Sequence, residues 1–170
     1  MIGLLRIVGL ANVAIWLGAS VFFTLGAGPA FFSEEMLQLL GRPHAGAAAQ
    51  LVLERYFIMH QVCAGVALLH LVREGMYMGR AIHRWTLGML LVLLVFSLVG
   101  GYVIQPQLRS LHLTMYRPGT TTEEQESAGR SFRILHGVSQ MMNLVMVAGV
   151  FIYLVRLTKV PAETPRYRFQ

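Results

Sequence analysis

His136, Ser139, Gln140 and Asn143 fall at i, i+3, i+4 and i+7 inside an otherwise apolar run near the end of the chain. On a helix this spacing puts all four on one face. Polar side chains are expensive in hydrocarbon, so such a face turns toward a partner helix, a cavity or a ligand. A second run carries a matching stripe: Tyr56, His60, Cys63, Ala67, His70 and Glu74 recur at helical spacing. His60 and His136 lie about five and about four residues into their helices, at similar depth near the outer surface. His70 lies ten residues beyond His60, roughly 15 Å along the axis, in the inner half.

Three kinds of chemistry fit this pair. Neutral imidazole ligates metal ions and haem, so His60 and His136 could hold a metal or a b-type haem between two helices. Alternatively they line a polar cavity for a small solute or a proton. The third and commonest use is interhelical hydrogen bonding that fixes the register of a bundle, averaging only about 0.6 kcal/mol per bond. Cys63, one turn from His60, reads as a small buried hydrophobe. Asn12, with Trp16 a turn later and Ser20 beyond, is expected to face the interior and meet Asn143 or a backbone carbonyl. Trp16 reads as packing. His44 and His112 are expected in solvated outer loops. The ten methionines are scattered, with Met142 and Met146 the one spaced pair, and also read as packing. Nucleotide loops, zinc-protease helices, serine elbows and paired intramembrane carboxylates do not occur, and nothing here points to an enzyme.

These residues must be positioned by membrane helices. Only 13% of the 170 residues are charged and 55% are hydrophobic, with a mean hydropathy of +0.58; soluble domains carry about 25% charge. Net charge is +6, but the basic residues are spread between apolar runs and make no patch for nucleic acid. A single cysteine excludes an internal disulfide. Four apolar runs, near 7–32, 51–72, 85–105 and 132–157, each reach the roughly 20 residues that cross a bilayer. The fold class expected is all-α: an integral membrane four-helix bundle, one domain over 1–170. Pro29 is expected to kink or end the first span and Pro106 to end the third, with Gly100-Gly101 allowing close packing or a bend. Trp85, Tyr102, Tyr56 and Tyr153 lie near segment ends, where aromatic belts form.

Between the first two spans, Ser33-Glu34-Glu35 looks like a helix start. A short interfacial helix ended by Gly41 and Pro43 is expected there. The run Thr120-Thr121-Thr122-Glu123-Glu124 could cap a helix leading into the fourth span. Four spans place both termini on one side with the Arg73–Arg84 loop. That side carries eight Lys and Arg against six on the other, which favours a bacterial inner-membrane protein with cytoplasmic termini.

Gly18-Ala19-Ser20-Val21-Phe22-Phe23-Thr24 followed by Pro29-Ala30-Phe31-Phe32, then Arg55-Tyr56-Phe57 with His60, then Leu135-His136-Gly137-Val138-Ser139 with Asn143-Leu144, resemble in order the transmembrane-protein-205-like family of small membrane proteins. The resemblance implies a four-helix membrane bundle and no established chemistry. The function expected is therefore that of a membrane binding or interaction module, either an accessory subunit of a larger complex or a homo-oligomer. The alternatives are a haem- or metal-binding redox bundle using His60 and His136, and small-solute transport by a homo-oligomer past Asn12, Gln140 and Asn143.

Overall fold

The computed structural model describes residues 2–78 and 83–159, all but a few of them helical, with no strand among them. Six helices follow in order: α1 Ile2–Phe22, α2 Gly28–Ala30, α3 Glu34–Met78, α4 Arg84–Val99, α5 Gln105–Tyr116 and α6 Thr122–Lys159. Two π-helical turns, Phe23–Ala27 and Gly100–Ile104, join α1 to α2 and α4 to α5. Four continuous rods result, each long and apolar enough to cross a membrane. They run up and down as an antiparallel bundle.

Both π turns stand just before a proline. The N–H of Gly28 reaches the carbonyl of Phe23, and that of Gln105 reaches Gly100, each five residues back. Pro29 and Pro106 come next. A proline inside a regular helix lacks a donor and presses its ring on the carbonyl four residues earlier. The wider turn relieves that clash, a local adjustment that membrane helices tolerate. The third rod therefore does not end at Pro106; it runs on through α5.

The connections expected between spans two and one, and three and four, are thus largely helical. Ser33 caps the start of α3, its Oγ accepting from the Met36 N–H at 3.3 Å. Gly41 breaks α3 with φ 68°, a left-handed angle that favours glycine, and Pro43 starts the straight part rather than ending the short helix. The turn from α5 to α6 is Arg117-Pro118-Gly119-Thr120, with Gly119 at φ 85° and Thr120 N–H on the Arg117 carbonyl; this is the proline-then-glycine pattern of a type II turn. A reciprocal capping box follows, Glu124 N–H on Thr121 Oγ1 and the Glu124 carboxylate on the Thr121 N–H. The Thr121 backbone N–H, then its hydroxyl, hold that carboxyl below its usual range.

Lipid tails are as apolar as leucine, so packing rather than exclusion of water draws these helices together. The core joins Val13 and Trp16 of α1, Cys63, Ala64 and Ala67 of α3, Leu90 and Leu93 of α4, and Met146, Val150 and Tyr153 of α6. At Gly100 a Cβ would overlap the Phe57 ring, so only glycine lets the second π turn approach α3 this closely. The opposite surface is apolar and outward-facing, with Ile7, Ile15, Leu69, Val95 and Phe151 among the exposed residues. At the end where α1 begins and α6 finishes, Arg156 of α6 donates to Thr86 at 3.0 Å and to His83 at 3.1 Å, tying α6 to the start of α4.

Candidate functional site

His60 is fully enclosed and lies midway along the straight part of α3, not near the helix start, because α3 begins well before the apolar run does. Its ring closes a three-membered hydrogen-bond circuit with α1. The Trp16 indole N–H donates to His60 Nδ1 at 2.8 Å. The Ser20 hydroxyl donates to the Trp16 carbonyl at 2.6 Å, four residues back. That leaves the Ser20 oxygen to accept from His60 Nε2 at 3.2 Å. Only one neutral tautomer, protonated at Nε2, satisfies every donor and acceptor together. Trp16, His60 and Ser20 are all wholly buried, so the circuit is closed as well as complete.

The chain of bonds continues one turn further along α1. Asn143 of α6 donates its amide to Thr24 Oγ1 at 2.8 Å, and Thr24 donates to the Ser20 carbonyl at 2.7 Å. The Tyr56 hydroxyl donates to Asn143 Oδ1. Tyr56 stacks on Phe23 with centroids 4.2 Å apart and meets the His60 ring edge-on at 4.3 Å. Helices α1, α3 and α6 are therefore joined by one polar network. The first π turn contributes Phe23 and Thr24 to it. Asn12 donates to the Cys63 carbonyl at 3.0 Å, a turn to the other side. Cys63 itself is a buried free thiol.

The expected polar face of α6 divides. Asn143 and Ser139 turn inward, but His136 and Gln140 are exposed. The buried stripe of α6 passes through Ala128, Ser139, Met146, Val150 and Tyr153. At about 100° per residue, His136 stands about 60° and Gln140 about 100° from Ser139 around the axis. The i, i+3, i+4, i+7 set was wide enough to straddle the edge of the interface. His136 stacks instead on Phe132, centroids 5.7 Å apart. The structure thus gives His60 and His136 different surroundings and does not bring them together. His60 has no ring nitrogen left for a ligand while the circuit stands.

Other placements differ from expectation. His112 is no loop residue; it is buried in α5 and donates from Nε2 to the Pro43 carbonyl at 2.9 Å. His44 is exposed, with Nδ1 3.1 Å from the Leu40 carbonyl. His70 is buried and donates from Nε2 to the Leu5 carbonyl at 2.9 Å, while its Nδ1 has no partner. Tyr56 and Tyr153 are interior rather than belt residues, whereas Trp85 and Tyr102 face outward. Arg80, Arg166 and Arg168, counted in the charge balance, lie outside the described residues. No group of three or more His, Cys, Asp or Glu side chains suited to a metal occurs among the described residues.

A lateral groove complements the closed interior. Its volume is about 460 Å³, and it runs between α3 and the second π turn with α5. Phe57, Ile58 and Gly101 stand on its more apolar side with Gln61 beyond them; Glu54, Arg109 and Ser110 stand along its more polar side beside Leu113.

A family model described as a domain of unknown function, DUF4149, matches residues 12–117. The chain belongs to the DUF4149 family. No curated protein and no solved structure matches it. The DUF4149 stretch covers the first rod from residue 12 on and the second and third rods, and with them Trp16, Ser20, Thr24, Tyr56, His60, Glu54 and Arg109. The network's α6 partner, Asn143, lies beyond it.

The network was partly missed in sequence. Trp16, expected as packing, forms with Ser20 at i+4 a donor and an acceptor for both nitrogens of an imidazole at matching depth on another helix. That signal is available only once the helix pairing is known.

Proposed function

We propose that this DUF4149 protein is a membrane-embedded binding module that engages its ligand or partner from its lipid-facing side. The observation that carries the reading is the closed Trp16–His60–Ser20 circuit. A buried polar group with every bond satisfied specifies a fold; a site awaiting a ligand keeps some bonding capacity open. The lateral groove supplies what the Trp16–His60–Ser20 circuit lacks, an accessible recess with few polar groups set in apolar walls. Among the described residues little lies outside the four rods, which suits docking through helix faces as an accessory subunit or a homo-oligomer. The bacterial inner membrane, with both termini cytoplasmic, belongs to the same proposal and rests on the Lys and Arg balance. So does the likeness to the transmembrane-protein-205-like proteins, which carries no chemistry of its own.

Gentle purification tests this reading. Expected are a protein or lipid that co-purifies in fixed ratio and a spectrum with no Soret band. A Soret band or a stoichiometric metal lost on His60→Leu would overturn it in favour of a redox bundle.

A further inference from the structure

The groove between α3 and α5 holds one charge of each sign, and among the described residues neither has an ion-pair or hydrogen-bond partner. Glu54 on α3 and Arg109 on α5 both line it. The ion pair formed among the described residues is elsewhere, between Arg130 and Glu126. An acid and a base that flank one recess without meeting are arranged for something between them.

The groove's level along the bundle narrows the choice. Glu54 lies at the start of the second apolar run, and Arg109 lies just past the end of the third. Tyr102, exposed beside them, is placed as interfacial aromatics are. The polar part of the groove therefore sits where apolar segments give way to polar ones. The Phe57, Ile58 and Gly101 part leads from there toward the middle of the bundle. An occupant must be amphipathic, with its polar end carrying both charges.

We propose that this groove seats a phospholipid with a phosphoethanolamine headgroup. A guanidinium presents several N–H donors in a planar fork suited to phosphate oxygens, and the Ser110 hydroxyl adds one more. A primary ammonium carries three N–H donors, which the Glu54 carboxylate accepts. An acyl chain lies along Phe57 and Ile58. A headgroup with a net negative charge and no ammonium leaves Glu54 facing like charge. A choline headgroup has no N–H to donate and keeps only the charge attraction. This assignment rests on the binding-module reading and names its ligand.

The test uses the full chain in detergent, exchanged into equal mixtures of phosphatidylethanolamine, phosphatidylcholine and phosphatidylglycerol, with bound lipid read by native mass spectrometry. Expected is one retained phosphatidylethanolamine, favoured about five-fold over each of the others, the scale of a single partly exposed ion pair. Glu54→Gln is expected to erase the preference over phosphatidylcholine. Arg109→Gln is expected to lower retention of all three about five-fold. The wild-type comparison needs no variant, so it decides the matter even where a variant does not fold. Equal retention of the three lipids, or a preference that survives Glu54→Gln, overturns the headgroup assignment. If lipid preference is absent but a protein partner co-purifies, the lipid assignment falls and the binding-module reading stands. If nothing co-purifies, both fall.

Discussion

Replacing Trp16 with phenylalanine removes the single N–H that His60 Nδ1 accepts, at a contact of 2.8 Å between two wholly buried side chains. Hydrogen bonds between membrane helices average about 0.6 kcal/mol and reach about 1.7. A fully enclosed pair with no alternative partner belongs near the top of that range, so the bond itself is worth about 1.5 kcal/mol. The smaller ring also leaves space within the buried core to which Trp16 belongs, adding about 1 kcal/mol of lost packing. Trp16→Phe should therefore destabilise the bundle by about 2.5 kcal/mol. His60→Leu should cost a similar amount, because it strands the indole N–H and removes the donor to Ser20. In the double variant nothing is stranded between the two positions. Its loss should fall short of the sum of the single losses by about 1.5 kcal/mol. Reversible unfolding in mixed micelles titrated with sodium dodecyl sulfate, followed by helix circular dichroism, measures all four proteins. Trp85→Phe, on an exposed side chain, is the control and should stay within about 0.5 kcal/mol. Independent sites add to within about 0.5 kcal/mol, so a shortfall below that value would mean that the Trp16–His60 bond is not made.

Tyr56→Phe keeps the stack on Phe23 but strands Asn143 Oδ1; a loss of about 1 kcal/mol in the same unfolding assay is expected. Gly100→Ala drives a methyl group into the Phe57 ring and should cost about 1–3 kcal/mol, whereas Gly65→Ala, with open space around it, should be neutral or stabilising by up to about 1 kcal/mol. Glu124 is bonded to Thr121 as a carboxylate, and its folded value lies below its free one. Its contribution to the α6 cap is therefore present above the ordinary carboxylate range and is lost as pH falls through the lowered value. Backbone chemical shifts at 122–125 should show that turn fraying in acid, and Thr121→Ala should show the same fraying at neutral pH.

The all-α membrane fold could be read from hydropathy because four long apolar runs leave one arrangement in which every backbone group is satisfied. Rod lengths could not, since hydropathy marks where lipid is and not where helix is: residues 42–50, 106–116 and 122–131 are polar and helical all the same. Pro106 misled for a related reason, because a π turn before it lets the helix pass. The interior stripe of α3 was legible through its helical spacing, and Tyr56, His60, Cys63, Ala67 and His70 are all buried. That of α6 was not, because four polar residues at i, i+3, i+4 and i+7 cover more of the helix than one interface occupies. Asn12 does meet a backbone carbonyl, that of Cys63. The bonding role of Trp16 was not legible, because an indole N–H reveals its partner only when the neighbouring helix is in place.

The proposed function depends on His60 being a structural acceptor and donor rather than a vacant ligand. Nitrogen-15 NMR of protein labelled at histidine and tryptophan reads this at the atoms concerned. The expected result is a single neutral His60 tautomer protonated at Nε2, with a scalar coupling from Nδ1 to the Trp16 indole N–H, unchanged when haem or divalent metal is added. A His60 resonance protonated at Nδ1, or one that shifts to a ligated form as the indole bond disappears, would contradict the closed circuit and return the interior to candidacy as the binding site.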